Sequence, residues 1–242
     1  MIVVLAIDAL EYDLVEKFQC RKLMQKFYGK TDISEFSEPR TMVLWSSFMT
    51  GISMEQEILA MGDKDMWNAR IGIGRTFFSS CVNPAIIDLP GYNYDIAQHQ
   101  AERALLKKFF ESTSNSEKES LRKSYNQLAF DHHKKIKKDF VNALGNSHDL
   151  VLAYFSVADV IGHLNFGDIF LMKMIYRNLD EIAGSIDSSF LVVSDHGMKP
   201  VGFFGDHSSY GFWSSGDHDL GIPKITDFKK ITLDLLFKQR GA

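Results

Sequence analysis

The stretch "LVVSDHGM", Leu191–Met198, joins an apolar run to an acid, an imidazole and a glycine. A continuous run of Leu and β-branched residues, without polar alternation, is the pattern of a strand buried on both faces in a parallel sheet. Two other runs share it, "IVVLAI" at 2–7 and "LVLAYF" at 150–155, and helical stretches lie between them. The alternation predicts an α/β fold, a three-layer sandwich with a mostly parallel central sheet and helices on both faces, formed by a single domain over 1–242.

Residues 13–27 read as an amphipathic helix and 43–50 as a short apolar helix closed by Gly51. The segment 167–183 reads as a helix ending near Gly184, and 227–239 as a surface helix. Residues 94–145 read as two charged amphipathic helices broken around "STSNSE", a long excursion before the next core strand that suits a crossover with a lid-like extension. No internal repeat or low-complexity linker calls for a second domain.

The chain has 242 residues, 45% hydrophobic and 24% charged, enough to bury a sizeable core. With 27 basic and 31 acidic residues the net charge is −4, which gives no electrostatic footprint for nucleic acid. Cys20 and Cys81 lie far apart without paired spacing. This argues against a disulfide framework or a cysteine-rich zinc module and suits a reducing, cytoplasmic setting. The opening "MIVVLAID" lacks a basic leader and is broken by Asp8; no apolar run is long enough to cross a bilayer, so no membrane association is expected.

Each of the three core strands leads to an acid: Asp8 after 2–7, Asp159 shortly after 150–155, and Asp195 after 190–194. Sites in open α/β sheets form beyond the carboxyl ends of the strands, so the three acids are expected to meet. Singly, each has a bland reading as a turn former or helix cap. In "DVIGH" the i, i+4 spacing puts Asp159 and His163 on one helix face, where both can address one cation; a helix-starting acid with an exposed His explains the motif equally well. Asp195 and His196 point to opposite sides of an ideal strand, but Gly197 permits the chain to turn so that both converge.

Two Gly-Asp-His triplets follow, at 205–207 and 216–218. His207 precedes the strand-like "SSYGFWSSG" and is the expected ligand, whereas His218 reads as solvated in a polar loop. His99, His132, His133 and His148 fall on charged helices or in a loop and also read as solvated. In "PRTMVLWSSFMTG", Thr41 stands at the start of an apolar helix, an N-cap position that favours a bound anion or is simply a cap.

This ordered set, Asp8, Thr41 four residues before Trp45, "DVIGH", "SDHGM" and "GDHSSYGFWSSG", resembles the alkaline phosphatase superfamily, nearest to its type I phosphodiesterase and nucleotide pyrophosphatase branch. The resemblance implies a catalytic domain with two divalent metal ions, zinc or alternatively manganese, and a small-molecule phosphate ester as substrate. It implies Asp159, His163 and His207 as ligands of one metal, and Asp8, Asp195, His196 and the Thr41 oxygen as ligands of the other. The implied reaction is hydrolysis through a phosphothreonine intermediate, with a diester or pyrophosphate preferred over a monoester. Arg40 adjoins Thr41 but, on an extended backbone, points away from it and supplies no clamp for a dianion.

The stretch after "TG", "ISMEQEILAMGDKD", lacks the Pro, His-Gly and Asn that relatives often carry there; Asn68 is a distant substitute. Sulfatases share the fold, but "CVNPA" at 81–85 has the wrong spacing for their nucleophile and no Arg. The alternatives that remain are a phosphomonoesterase of the same superfamily and an inactive relative acting as a metal-stabilised binding protein.

Overall fold

The computed structural model describes residues 1–241. Along the chain the strands are β1 (Ile2–Ile7), β2 (Phe27–Asp32), β3 (Pro84–Ile87), β4 (Leu150–Phe155), β5 (Phe190–Val193), β6 (Met198–Val201), β7 (Phe204–His207) and β8 (Tyr210–Ser215). The helices are α1 (Tyr12–Lys17), α2 (Arg21–Met24), α3 (Thr41–Thr50), α4 (Glu55–Leu59), α5 (Gly62–Asp65), α6 (Ile96–Glu111), α7 (Asn115–Leu144), α8 (Val157–Asn165), α9 (Ile169–Gly184) and α10 (Phe228–Gly241).

Six strands form one sheet in the order β2-β8-β5-β1-β4-β3. β1 pairs in parallel with β4 and β5, and β3 with β4, while β8 runs antiparallel to both β5 and β2. β6 and β7 pair as a separate antiparallel hairpin. Successive side chains of a strand point to opposite faces. Thus Val3, Leu5 and Ile7 join Val151, Ala153 and Phe155 in a layer with α1, α7, α8 and α9. Ile2, Val4 and Ala6 join Leu150, Leu152 and Tyr154 in a layer with α3 and α10. Because both faces are covered, these strands carry no polar alternation, and each fully buried aliphatic side chain contributes about 1.5–3 kcal/mol.

Helix α3 is buried at every position and ends at Gly51, whose φ of 73° is a left-handed conformation that favours glycine. Its Ser47 and Thr50 hydroxyls donate back to the Val43 and Ser46 carbonyls, so their burial leaves no donor unmet. The excursion forms α6 and α7, capped by Asp95 and Ser114, and breaks within "STSNSE" as expected. Tyr125, Ala129, Ile136 and Phe140 of α7 face the core at helical spacing.

The expected helix over 13–27 is instead two short helices and the start of β2. Gln19 and Gln25 take positive φ, both 52°, and end α1 and α2 respectively. The Asp180 carboxylate accepts from the Lys22 and Leu23 amides, satisfying orphan donors at the start of α2. A tertiary partner thus overrides the local periodicity. The C-terminal helix is also more than a surface element, since Phe228 and Leu236 are buried. Among the described residues no helix is long and apolar enough to cross a membrane.

Candidate active site

Asp8 follows β1, Asp195 follows β5, and Asp159 sits in the first turn of α8 after β4. Because β5, β1 and β4 are neighbours, the three acids emerge side by side at the carboxyl edge of the sheet. His163 lies one turn after Asp159, its Nε2 3.3 Å from Asp159 Oδ1, and His207 Nε2 lies 3.5 Å from the same oxygen. His196 Nε2 lies 3.3 Å from Asp8 Oδ1 and 3.4 Å from Asp195 Oδ2. The His196 and His207 rings stack at 3.9 Å.

His207 comes from the β6–β7 hairpin, which packs on α8 because two glycines make room for one thioether. A Cβ on Gly162 or on Gly205 would lie 2.2 Å from Met198 Sδ. Gly162 of "DVIGH" therefore has a packing reason, and the close approach brings His207 to Asp159 and His163. Gly197 is equally constrained: a Cβ there would lie 2.3 Å from Glu11 Oε2.

The protonation pattern follows from the hydrogen bonds. His196 Nδ1 faces the Gly197 carbonyl at 3.0 Å, His207 Nδ1 the Pro39 carbonyl at 2.8 Å, and His163 Nδ1 the Gly205 carbonyl at 3.3 Å. A carbonyl only accepts, so in each ring Nδ1 carries the proton, and in the neutral ring Nε2 presents a lone pair. Those lone pairs face carboxylate oxygens, which also only accept. Asp8 Oδ1, Asp159 Oδ1, both oxygens of Asp195, His196 Nε2 and His207 Nε2 are buried without a hydrogen-bond partner.

Acceptors converging on acceptors are costly unless a cation lies among them. The spacing suits one: donor atoms at 2.0–2.2 Å from a tetrahedral zinc stand roughly 3.3–3.6 Å apart. The ligand atoms of Asp159, His163 and His207 lie within 4.8 Å of one another, as do those of Asp8, Asp159 and His196. Asp159 thus belongs to both groupings, where the sequence resemblance assigned it to one metal alone. The Nδ1–H to carbonyl bonds are those that orient a metal-binding imidazole.

The electrostatics of the protein atoms alone express the same conflict. Burial pushes Asp8 well above the usual carboxylate range, reinforced by the charges of Asp195 and Asp159. Burial likewise lifts Asp195 to about 7 and lowers His196 to about 3, the latter also repelled by His207. His207 resists its burial because Asp159 stabilises its charged form, which brings it to about 9. Burial also opposes ionisation of Asp159, but His163 and His207 overcome it and hold the carboxyl well below its usual range.

Thr41 is the first residue of α3, and the N-cap is Arg40, whose backbone is extended and whose side chain caps nothing. The expected N-cap role for Thr41 is therefore corrected by one residue. Thr41 is buried and lines a cavity of about 300 Å³ together with Asp8, Asp159, His163 and His207. Its hydroxyl has no hydrogen-bond partner among the described residues. Arg40 does not point away, as its extended backbone suggested; it lines the same cavity. Glu38 and Asp63 hold its guanidinium, each at 2.5 Å. Trp45 is buried in the core, edge-on to Phe48 and Tyr154.

Of the two Gly-Asp-His triplets, His207 reaches the cluster, while His218 is exposed and meets Lys238 Nζ at 2.8 Å. The solvated reading fails for four other histidines. His99 is buried and stacked on Trp67 at 3.7 Å, and His132 is buried against Asp88 at 2.7 Å. His133 is half-buried and bonded to Asn178, and His148 is half-buried against the Asn83 carbonyl. Their partners lie far away in sequence, which hides them from a local reading.

Two nearby residues escaped the sequence reading altogether. Tyr154 donates to Asp8 Oδ2. Glu11 is buried, and its carboxylate accepts from the Met198 amide at 2.8 Å and from the Tyr210 hydroxyl at 2.6 Å, with the Ser208 hydroxyl at 3.5 Å. One side chain thereby ties the turn after His196 to the turn after His207. In the sequence it looks only like a helix cap, which it also is, through the Asp13 amide.

No protein-family model and no curated protein sequence matches the chain. Among solved structures, it is similar to alkaline phosphatase from the Antarctic bacterium TAB5, with a TM-score of 0.53 and 11% identity over 98% of both chains. Murine ectonucleotide pyrophosphatase/phosphodiesterase 5 aligns at a TM-score of 0.47 with 12% identity, over 83% of this chain and 58% of that one. Phosphonoacetate hydrolase from Sinorhizobium meliloti aligns at 0.43 with 13% identity, over 82% and 56%. The chain therefore spans less than two thirds of the length of these last two. The likeness to the bacterial enzyme defines the class: the chain has the alkaline phosphatase fold.

Proposed function

We propose that the chain is a metal-dependent hydrolase of phosphoric esters, a member of the alkaline phosphatase superfamily, with a diester or pyrophosphate preferred. The observation that carries this reading is the set of six partnerless buried acceptor atoms beside the unpartnered Thr41 hydroxyl. Asp159, His163 and His207 would hold one divalent cation. Asp8, Asp195, His196 and the Thr41 oxygen would hold the other, with Asp159 within reach of both. Mixed imidazole and carboxylate donors suit zinc and are compatible with manganese. Bound there, two divalent cations would neutralise phosphoryl charge and favour ionisation of a nearby hydroxyl.

The residues then divide the chemistry. Thr41 Oγ1 forms the bond to phosphorus as the ester P–O bond on the opposite side breaks; the hydroxyl proton passes to water and the leaving oxygen takes one from water. Water then cleaves the phosphothreonine and returns the hydroxyl. Position 41 in the first turn of α3 leaves nearby backbone N–H groups free for the phosphoryl oxygens. Arg40 is already neutralised by two carboxylates, which favours an ester with one anionic oxygen over a dianion.

The experiment combines metal analysis with hydrolysis of bis-p-nitrophenyl phosphate and of the mono-ester, for the parent and Thr41→Ala. The expected result is bound divalent metal in both proteins, preference for the diester, and loss of turnover on the order of 10³-fold or more in the variant. A parent that holds metal yet cleaves neither ester would favour the metal-stabilised binding protein. Normal turnover in the variant would remove Thr41 as nucleophile.

A further inference from the structure

Besides the acid and imidazole cluster, the cavity is lined in large part by the helical excursion and by Trp67, which precedes it. Trp67, Tyr94, Glu102, Leu106 and Tyr125 line it. Glu102 is only 4% exposed. Its Oε1 accepts from Gln98 Nε2 at 2.8 Å, and among the described residues the carboxyl has no other hydrogen-bond partner. No described cation pairs with it: His132, whose charge would stabilise it, is committed to Asp88. Arg103 also lines the cavity but is exposed, where solvent screens its charge.

A buried carboxyl with a spare oxygen among aromatic rings is expensive to keep unless something fills the space. Once the carboxyl is ionised, above about pH 7, a neutral polar ligand would supply a hydrogen bond and leave the charge unpaired. A cation with an apolar shell satisfies the carboxylate and is attracted to the rings as well. We infer that this wall is a subsite for the organic group of the ester, and that it selects a group carrying an alkylammonium nitrogen, held by Glu102 among Tyr94, Tyr125 and Trp67. The inference rests on the hydrolase reading for its placement of the ester, but the subsite can be tested without turnover.

The hydrolytic test compares p-nitrophenyl 2-(trimethylammonio)ethyl phosphate with its uncharged isostere, p-nitrophenyl 3,3-dimethylbutyl phosphate. The expected preference in kcat/KM is about tenfold or more for the cationic ester. In Glu102→Gln the ratio should fall to near one. Calorimetry supplies the arm without turnover: the parent should bind the trimethylammonio alcohol measurably tighter than 3,3-dimethylbutanol, and Glu102→Gln should lose that difference. Cleavage of both esters at equal rates in the parent, or equal binding of the two alcohols, overturns the subsite. If neither ester is cleaved but the parent still discriminates between the alcohols, the hydrolase reading fails and the subsite stands.

Discussion

The floor of the cavity is built from strand ends and offers acceptor atoms without a hydrogen-bond partner, whereas its wall is built largely from helices and offers rings with one acid among them. Floor positions are set by β5, β1 and β4, whose pairing is fixed by a core buried on both faces. Wall positions depend on how α6 and α7 lie against the sheet, which the buried contact of His132 with Asp88 helps to set. The contrast teaches that the groups proposed to react are set by strand pairing, whereas those proposed to select the substrate are set by helix packing.

The sharpest way to break this contrast is to remove a floor ligand. Asp195→Asn and His207→Ala should each lose metal and reduce turnover by about 10²-fold or more, whereas His218→Ala should change neither. Metal content by mass spectrometry decides it. If His218→Ala strips metal and His207→Ala does not, the floor has been drawn from the wrong triplet.

A smaller effect is expected one layer out. Glu11→Gln keeps the size of the side chain but exchanges an acceptor oxygen for a donor where the Met198 amide, the Tyr210 hydroxyl and the Ser208 hydroxyl converge. Both turns that follow the proposed ligand histidines should loosen, and metal affinity should fall by about 10- to 100-fold. An affinity within twofold of the parent, in a chelator competition, would mean that the strands alone hold the floor.

The smallest effect belongs to the wall and concerns stability. Burial lifts Glu102 from 4.5 to about 7, opposed by Gln98 and His132 and assisted by Asp159 and Asp88. Between those values the folded protein keeps a proton that the unfolded chain has released. The associated stability is fully present below about pH 4.5 and is lost as pH rises through about 7. Glu102→Gln should therefore stabilise the fold by on the order of 1–3 kcal/mol at about pH 8 and by much less at about pH 4. Urea melts at the two pH values check the sign. A variant destabilised at both would show that the acid belongs to the architecture rather than to a ligand.

The floor was far more legible in the sequence than the wall. Runs 2–7, 150–155 and 190–193 announce themselves because strands covered on both faces contain no polar alternation, and the acids follow them directly. The i, i+4 pair of Asp159 and His163 is likewise a local pattern. Strand β2, "FYGKTD", is a half-buried edge strand with mixed composition, and the periodicity before it suggested a continued helix. The β6–β7 hairpin is too short to carry a pattern. Glu11, His99, Glu102 and His132 were illegible for a different reason: each takes its meaning from residues that only the tertiary structure brings near.

His207 donates to the carbonyl of Pro39, two residues before Thr41. The proposed nucleophile and one proposed metal-holding ring are therefore registered to a common point on the backbone. A displacement of the loop that leads into α3 would carry both along, leaving the gap between them little altered. Variation in the length of that loop would then be read out as a change in how the pair meets the sheet, and only weakly as a change in how its two members meet each other.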